Sequence, residues 1–217
     1  GFYLRVQMID FPPIGYHNMK TSEYYAETLL MNENHDYLNR YTWLFFGLTD
    51  NHHFDEYPEA PMLSWLSLPL WQIFGPQLWV MRLIIILFTL GSIVLTYFVV
   101  KELTESEYLA LISSFLMTIM PLGIYFAQNV QPDMPAMMCT LLATYFFIKW
   151  RESFNNKYLL FSMLSVSMAG IFKLTFMIIL VPLFFMVPWK LLYFQPLIKT
   201  FKQIGISIIG LIPFGVM

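Results

Sequence analysis

The chain has 217 residues, of which 58% are hydrophobic, 18% aromatic and only 12% charged. Soluble globular domains carry about a quarter charged residues, so this composition excludes an ordinary soluble fold and indicates a membrane protein. The formal net charge of -2, without a basic patch, excludes a nucleic-acid-binding surface, and a lone Cys139 inside an apolar run excludes a disulfide framework or a thiolate metal site.

Residues 1–9 read as the end of an earlier membrane span. The chain opens on Gly1, carries no basic segment with a cleavage site, and stops at Met217 within an apolar stretch. It is therefore expected to be a fragment of a longer membrane protein, with a C-terminal region missing. Residues 10–76 form a long polar-to-amphipathic loop. Within it, Ser22 to Met31 places Tyr25, Ala26, Leu29 and Leu30 at helical spacing, with Glu23 and Glu27 one turn apart on another face. Such a helix is expected to lie along the membrane surface. The apolar stretch from Pro61 to Phe74 is too short for the roughly 20 residues that a spanning helix needs, and reads as interfacial or re-entrant.

From residue 77 onward the pattern changes to long apolar runs. The expected spans are 77–100, 107–127, 134–150, 158–172, 174–189 and 203–217. The fourth is short and carries three serines, Ser162, Ser165 and Ser167. Lys101, Lys149, Arg151, Lys157, Lys190, Lys199 and Lys202 fall in alternate connections, and by the positive-inside rule these face the cytoplasm. The 10–76 loop, the turn before Asp133 and Lys173 then face outward. The fold class expected is all-α: a polytopic transmembrane helix bundle of about six helices, with an outer loop bearing juxtamembrane surface helices. No internal repeat or low-complexity segment interrupts it.

The residues capable of chemistry gather at the outward ends of these segments. Asp133 sits in Gln131-Pro132-Asp133-Met134-Pro135 at the mouth of a span. An ionisable group so close to hydrocarbon is costly and marks function or pairing, or else it caps a helix start. Glu23 is either a catalytic carboxylate or part of a solvated helix face. His52, His53, Asp55 and Glu56 form a compact set of imidazole and carboxylate groups, read as a divalent-metal site through Glu56 and Asp55 or as a hydrophilic loop. Lys173 and Arg82 either snorkel to headgroups or hold a lipid phosphate as point charges. Two other functional classes fit part of this pattern. A flippase or transporter for lipid-linked substrates places its coupling groups near the midplane of repeated halves, whereas here the charges collect at one face. The other is a catalytically degenerate scaffold.

Several segments together carry a resemblance. Asp55-Glu56-Tyr57-Pro58, Leu63-Ser64-Trp65-Leu66, Ile73-Phe74-Gly75 and Trp79-Val80-Met81-Arg82-Leu83 resemble one block of the membrane glycosyltransferases of the GT-C fold. These include protein mannosyltransferase-like and aminoarabinose transferase-like enzymes. Met120-Pro121-Leu122, Ala127-Gln128, Pro132-Asp133-Met134 and Leu142-Ala143-Thr144-Tyr145-Phe146-Phe147 resemble the next block, and Phe172-Lys173-Leu174-Thr175 is similar to a third. The resemblance implies the N-terminal part of a multi-pass transmembrane catalytic module, and a bacterial or archaeal cell membrane is the simpler expectation for its location. Such a module moves a sugar from a polyprenyl-phosphate carrier to a lipid, glycan or protein acceptor at the outer face. Aligned on Tyr25-Ala26-Glu27, the acidic pair usual in this family falls on Thr21 and Ser22. A branch with a His-aromatic-Arg-polar-polar-Asp pattern is resembled instead by His17-Asn18-Met19-Lys20-Thr21-Ser22-Glu23. That alignment implies Glu23 as the base, Asp133 as its partner, Lys173 and Arg82 at the donor phosphate, and Glu56 with Asp55 at a divalent metal. Tyr57 stands where aminoarabinose transferases tend to have lysine, which argues against that sugar.

Overall fold

A computed structural model describes residues 1–7, 9–10, 12, 18–35, 60–189 and 197–215. All regular structure among the described residues is helical. The helices are α1 (Phe2–Val6), α2 (Asn18–Asn34), α3 (Met62–Phe74), α4 (Leu78–Thr104), α5 (Glu107–Ile119), α6 (Pro121–Gln128), α7 (Asp133–Ser153) and α8 (Asn156–Phe172). A 3₁₀ segment, Leu174–Ile179, then leads into α9 (Leu180–Met186), and α10 covers Leu197–Gly215.

Local chemistry sets the boundaries. Gly75 ends α3 with φ of 79° and returns its N–H to the Trp71 carbonyl, a left-handed geometry that glycine adopts without penalty. Asn155 caps α8 by accepting the Lys157 amide at 3.1 Å. The expected 107–127 span is broken: Met120 takes an extended conformation and Pro121 begins α6. A residue before proline is pushed out of the α region, and proline suits the first helical position. The two halves, α5 and α6, are bent by 55°.

At 27 residues, α4 is the one described helix long and apolar enough to cross a bilayer alone; the bent α5–α6 pair makes a second if it forms one span. At about 1.5 Å per residue, α4 exceeds the ~30 Å hydrocarbon core. The other four expected spans coincide with α7, α8, the 3₁₀–α9 segment and α10, but each falls short of that length or apolarity.

The chain divides into two compact units. The first comprises Gly1–Leu90 with Thr118–Met134, and the second Gly91–Met117 with Pro135–Met217. In the first, α2 packs on α3 and α1 on α6. Its core includes Met31, Leu63, Trp71, Val80 and Ile85. The fully buried Arg5 of α1 donates to the Thr118 carbonyl at 3.1 Å, near the C-terminus of α5, where a cation meets the negative end of the helix dipole.

In the second unit, Ala143, Phe147 and Trp150 of α7 pack with Leu159, Met163 and Val166 of α8 and with Leu183. The serines of α8 explain its modest hydropathy. Ser162 donates to the Ala143 carbonyl at 2.8 Å, and Ser167 accepts the Phe214 amide of α10 at 2.7 Å. Small hydroxylated residues at helix–helix contacts are typical of membrane bundles. On α10, by contrast, Ile204, Ile208 and Ile212 form an exposed apolar stripe, a surface suited to lipid.

Candidate active site

The site is built on α2. Its buried stripe runs Thr21, Tyr24, Glu27, Thr28 and Met31, the spacing of one helix face. Most of this face is polar, so it is held by hydrogen bonds more than by apolar area. Thr21 Oγ1 accepts the Val130 amide at 3.1 Å. Glu27 Oε2 accepts from Ser64 Oγ of α3 at 2.8 Å. Tyr25 donates its hydroxyl to the Pro76 carbonyl at 3.0 Å, and its ring meets Trp71 with centroids 5.3 Å apart.

The sequence pattern places Glu27 with Glu23 on a face of α2 away from Tyr25, Ala26, Leu29 and Leu30, and at Glu27 that face is buried. Glu27 is only 5% exposed, because α3 packs over that side of α2 and supplies a hydroxyl donor. The helix is also longer than expected, Asn18–Asn34 rather than Ser22 to Met31. Ser64→Ala is expected to destabilise the fold by about 1.5–3 kcal/mol, because a buried carboxylate loses a hydrogen bond. Thermal unfolding of the purified protein in detergent checks this, and an unchanged midpoint would show that the bond contributes nothing net.

Glu23 lies one turn before Glu27. Its side chain is 10% exposed and forms an ion pair with Lys20 at 3.2 Å. Lys20 stands within the segment His17-Asn18-Met19-Lys20-Thr21-Ser22-Glu23 that carries the resemblance. Asp133 is the first residue of α7 and is partly exposed, so its carboxylate sits at the positive end of the helix dipole. The segment before it is irregular yet buried from Asn129 to Pro132. The bond from Val130 to Thr21 joins this segment to α2, so the helix bearing Glu23 meets the stretch that leads into Asp133 within the first unit.

Arg82 is buried at the first turns of α4 and donates Nη1 to the Ile9 carbonyl at 2.9 Å. It thereby fixes the chain near Asp10 against α4. Lys173 belongs to the second unit. It stands between α8 and the 3₁₀ segment in extended conformation, partly exposed, with its amide donating to the Ala169 carbonyl at 2.9 Å. His52, His53, Asp55 and Glu56 lie outside the described residues. Among the described residues, no group of three or more His, Cys, Asp or Glu side chains is arranged to hold a metal.

Sequence reasoning passed over Thr21, Glu27 and Ser64 as participants. Glu27 and Ser64 each stood inside a segment that carried the resemblance, Tyr25-Ala26-Glu27 and Leu63-Ser64-Trp65-Leu66, and that shared membership was the available signal. For Thr21 the signal was its polarity at the start of a helix whose apolar residues lie elsewhere.

Comparison with curated proteins and with solved structures returns no match. A family profile does match, over residues 58–217. That range includes Arg82, Asp133 and Lys173, while Glu23, Asp55 and Glu56 precede it. The match covers well over half of the chain and agrees with the all-helical fold and the apolar α4. The chain belongs to the dolichyl-phosphate-mannose-protein mannosyltransferase family, membrane-integral glycosyltransferases that use a lipid-linked sugar.

Proposed function

We propose that this protein transfers a sugar from a polyprenyl-phosphate carrier to an acceptor hydroxyl at the outer face of a multi-pass membrane bundle, inverting the anomeric centre. The family match carries the reading. The pairing of α2, which bears Glu23, with the segment that leads into Asp133 supports it.

The chemistry requires little beyond positioning and a proton acceptor. The carrier phosphate is already a good leaving group. Glu23 accepts the proton of the acceptor hydroxyl as general base, and the freed oxygen attacks the anomeric carbon as the bond to the phosphate oxygen breaks. The attack comes from the side opposite the phosphate, through an oxocarbenium-like transition state. Asp133 orients the reacting groups. Arg82 meets the charge of the departing phosphate through its guanidinium, and Lys173 is taken from the resemblance as a further point charge for the donor phosphate. Asp55 and Glu56 offer hard carboxylate oxygens to a divalent cation, which would add charge neutralisation at the phosphate. None of the proton or bond changes above passes through it.

The test is transfer in proteoliposomes across a panel of polyprenyl-phosphate sugars, with Lys173→Met beside wild type. Wild type is expected to use at least one donor, and Lys173→Met to raise the donor KM about tenfold, as loss of one charge-assisted contact predicts. Wild type inert toward every donor would sink the reading; an unchanged KM would remove Lys173 from it.

A further inference from the structure

We infer that Thr21 is a positioning residue: its hydroxyl sets the register between the helix that carries Glu23 and the buried segment that leads into Asp133. This rests on the transferase reading above and adds to it a residue that touches neither substrate.

The segment from Asn129 to Pro132 is an unusual structure to bury. It is neither helix nor strand, yet Asn129 is 5% exposed, Val130 0% and Gln131 6%. Backbone polar groups in such a place must find partners inside the protein, because little water reaches them. Two side-chain hydrogen bonds lie at its start, and one of them meets a backbone group of the segment itself. Asn129 turns back to donate Nδ2 to the Tyr125 carbonyl at 2.9 Å, closing the end of α6. Thr21, itself 0% exposed, accepts the Val130 amide at 3.1 Å. The first bond is local, whereas the second joins positions 109 residues apart in sequence.

The consequence for the site is one of lever length. Glu23 is two residues beyond Thr21 along a rigid helix, and Asp133 is three beyond Val130, at the first position of α7. The two carboxylates are thus set relative to each other by a bond close to both. Ser64 and Pro76 hold the rest of α2 through Glu27 and Tyr25. Threonine suits the position because β-branching restricts χ1 and so aims the hydroxyl. An acid is usual here in the resemblance, but in this chain the position faces inward onto a backbone amide, and the proton-accepting role passes to Glu23.

The experiment compares wild type with Thr21→Val and Thr21→Ser in full-length protein. Transfer kinetics in proteoliposomes are read beside hydrogen–deuterium exchange of peptides covering residues 129–131. Valine keeps the shape and removes the acceptor; serine restores it. A shift of about 1 Å in a reacting group costs on the order of 100-fold, so Thr21→Val is expected to lower kcat by about 10- to 100-fold with donor and acceptor KM little changed. It is also expected to speed exchange at Val130 by about tenfold or more, and Thr21→Ser to recover both. A folded Thr21→Val enzyme with wild-type kcat overturns the inference alone. So does lost activity with unaltered exchange at residues 129–131, or failure of serine to rescue. An inert wild type overturns the transferase reading and the inference together. If Thr21→Val does not fold, Thr21→Cys, with a weaker acceptor of similar size, is judged by the same two readouts.

Discussion

Glu23→Gln is expected to lower kcat for sugar transfer by about 10²- to 10⁴-fold, the range that loss of a general base produces. The substitution keeps the length and planarity of the side chain and removes only its capacity to take a proton. The shielding of Glu23 and its contact with Lys20 at 3.2 Å do not depend on ionisation alone, since an amide oxygen still accepts from the ammonium. Helix α2 is held by Thr21, Tyr25 and Glu27, so the variant is expected to fold with an unchanged thermal midpoint. The donor KM should stay within a few-fold, because the base acts on the acceptor hydroxyl and not on the carrier. A wild-type kcat in a folded Glu23→Gln enzyme would transfer the role elsewhere, with Asp133 the next residue to replace. A rise in donor KM without loss of kcat would instead make Glu23 a binding residue, and the proposed chemistry would need a different base.

The legibility of this fold in its sequence was uneven, for identifiable reasons. Apolar runs of the length of α4 announce themselves, since hydropathy and length are local properties. Helix α3 was also readable, as an apolar stretch too short to span and closed by Gly75. The break between α5 and α6 was less so: Pro121 was visible, but the apolar run continues through it, and hydropathy alone reads the pair as one span. On α8, serines lower the apparent apolarity because their hydroxyls serve contacts with α7 and α10. The hardest case was α2. Its buried face is Thr21, Tyr24, Glu27, Thr28 and Met31, and a face that is mostly polar cannot be recognised by a search for apolar periodicity. Burial there is enforced by partners distant in sequence, namely Ser64 and Val130. The candidate residues fared in parallel. The helix start at Asp133 was legible from its proline-flanked position, while the bond that joins the segment before it to α2 was not.

The second unit yields a prediction in which one substitution changes sign along a single helix. Glycine within a helix normally costs about 0.5–1 kcal/mol relative to alanine, so Gly→Ala on α10 should stabilise wherever space permits. At Gly205 a Cβ meets nothing within 4 Å, and Gly205→Ala is expected to gain about that amount. At Gly210 the same atom would run into Met163 Cβ and lie 3.3 Å from the Leu164 amide nitrogen. These atoms belong to the body of α8 and cannot swing aside as a side-chain end would, so the helices must separate. Overpacking of this kind costs about 1–3 kcal/mol. It would also strain the neighbouring bond from Phe214 to Ser167, which depends on the same approach of α10 to α8. Gly210→Ala is therefore expected to lower the thermal midpoint in detergent while Gly205→Ala raises it. Close approach of small residues is how helices associate in lipid, where no hydrophobic force draws them together. If both variants stabilise, helix propensity governs α10 and its packing on α8 is loose; if both destabilise, the Gly205 side of α10 is covered rather than open.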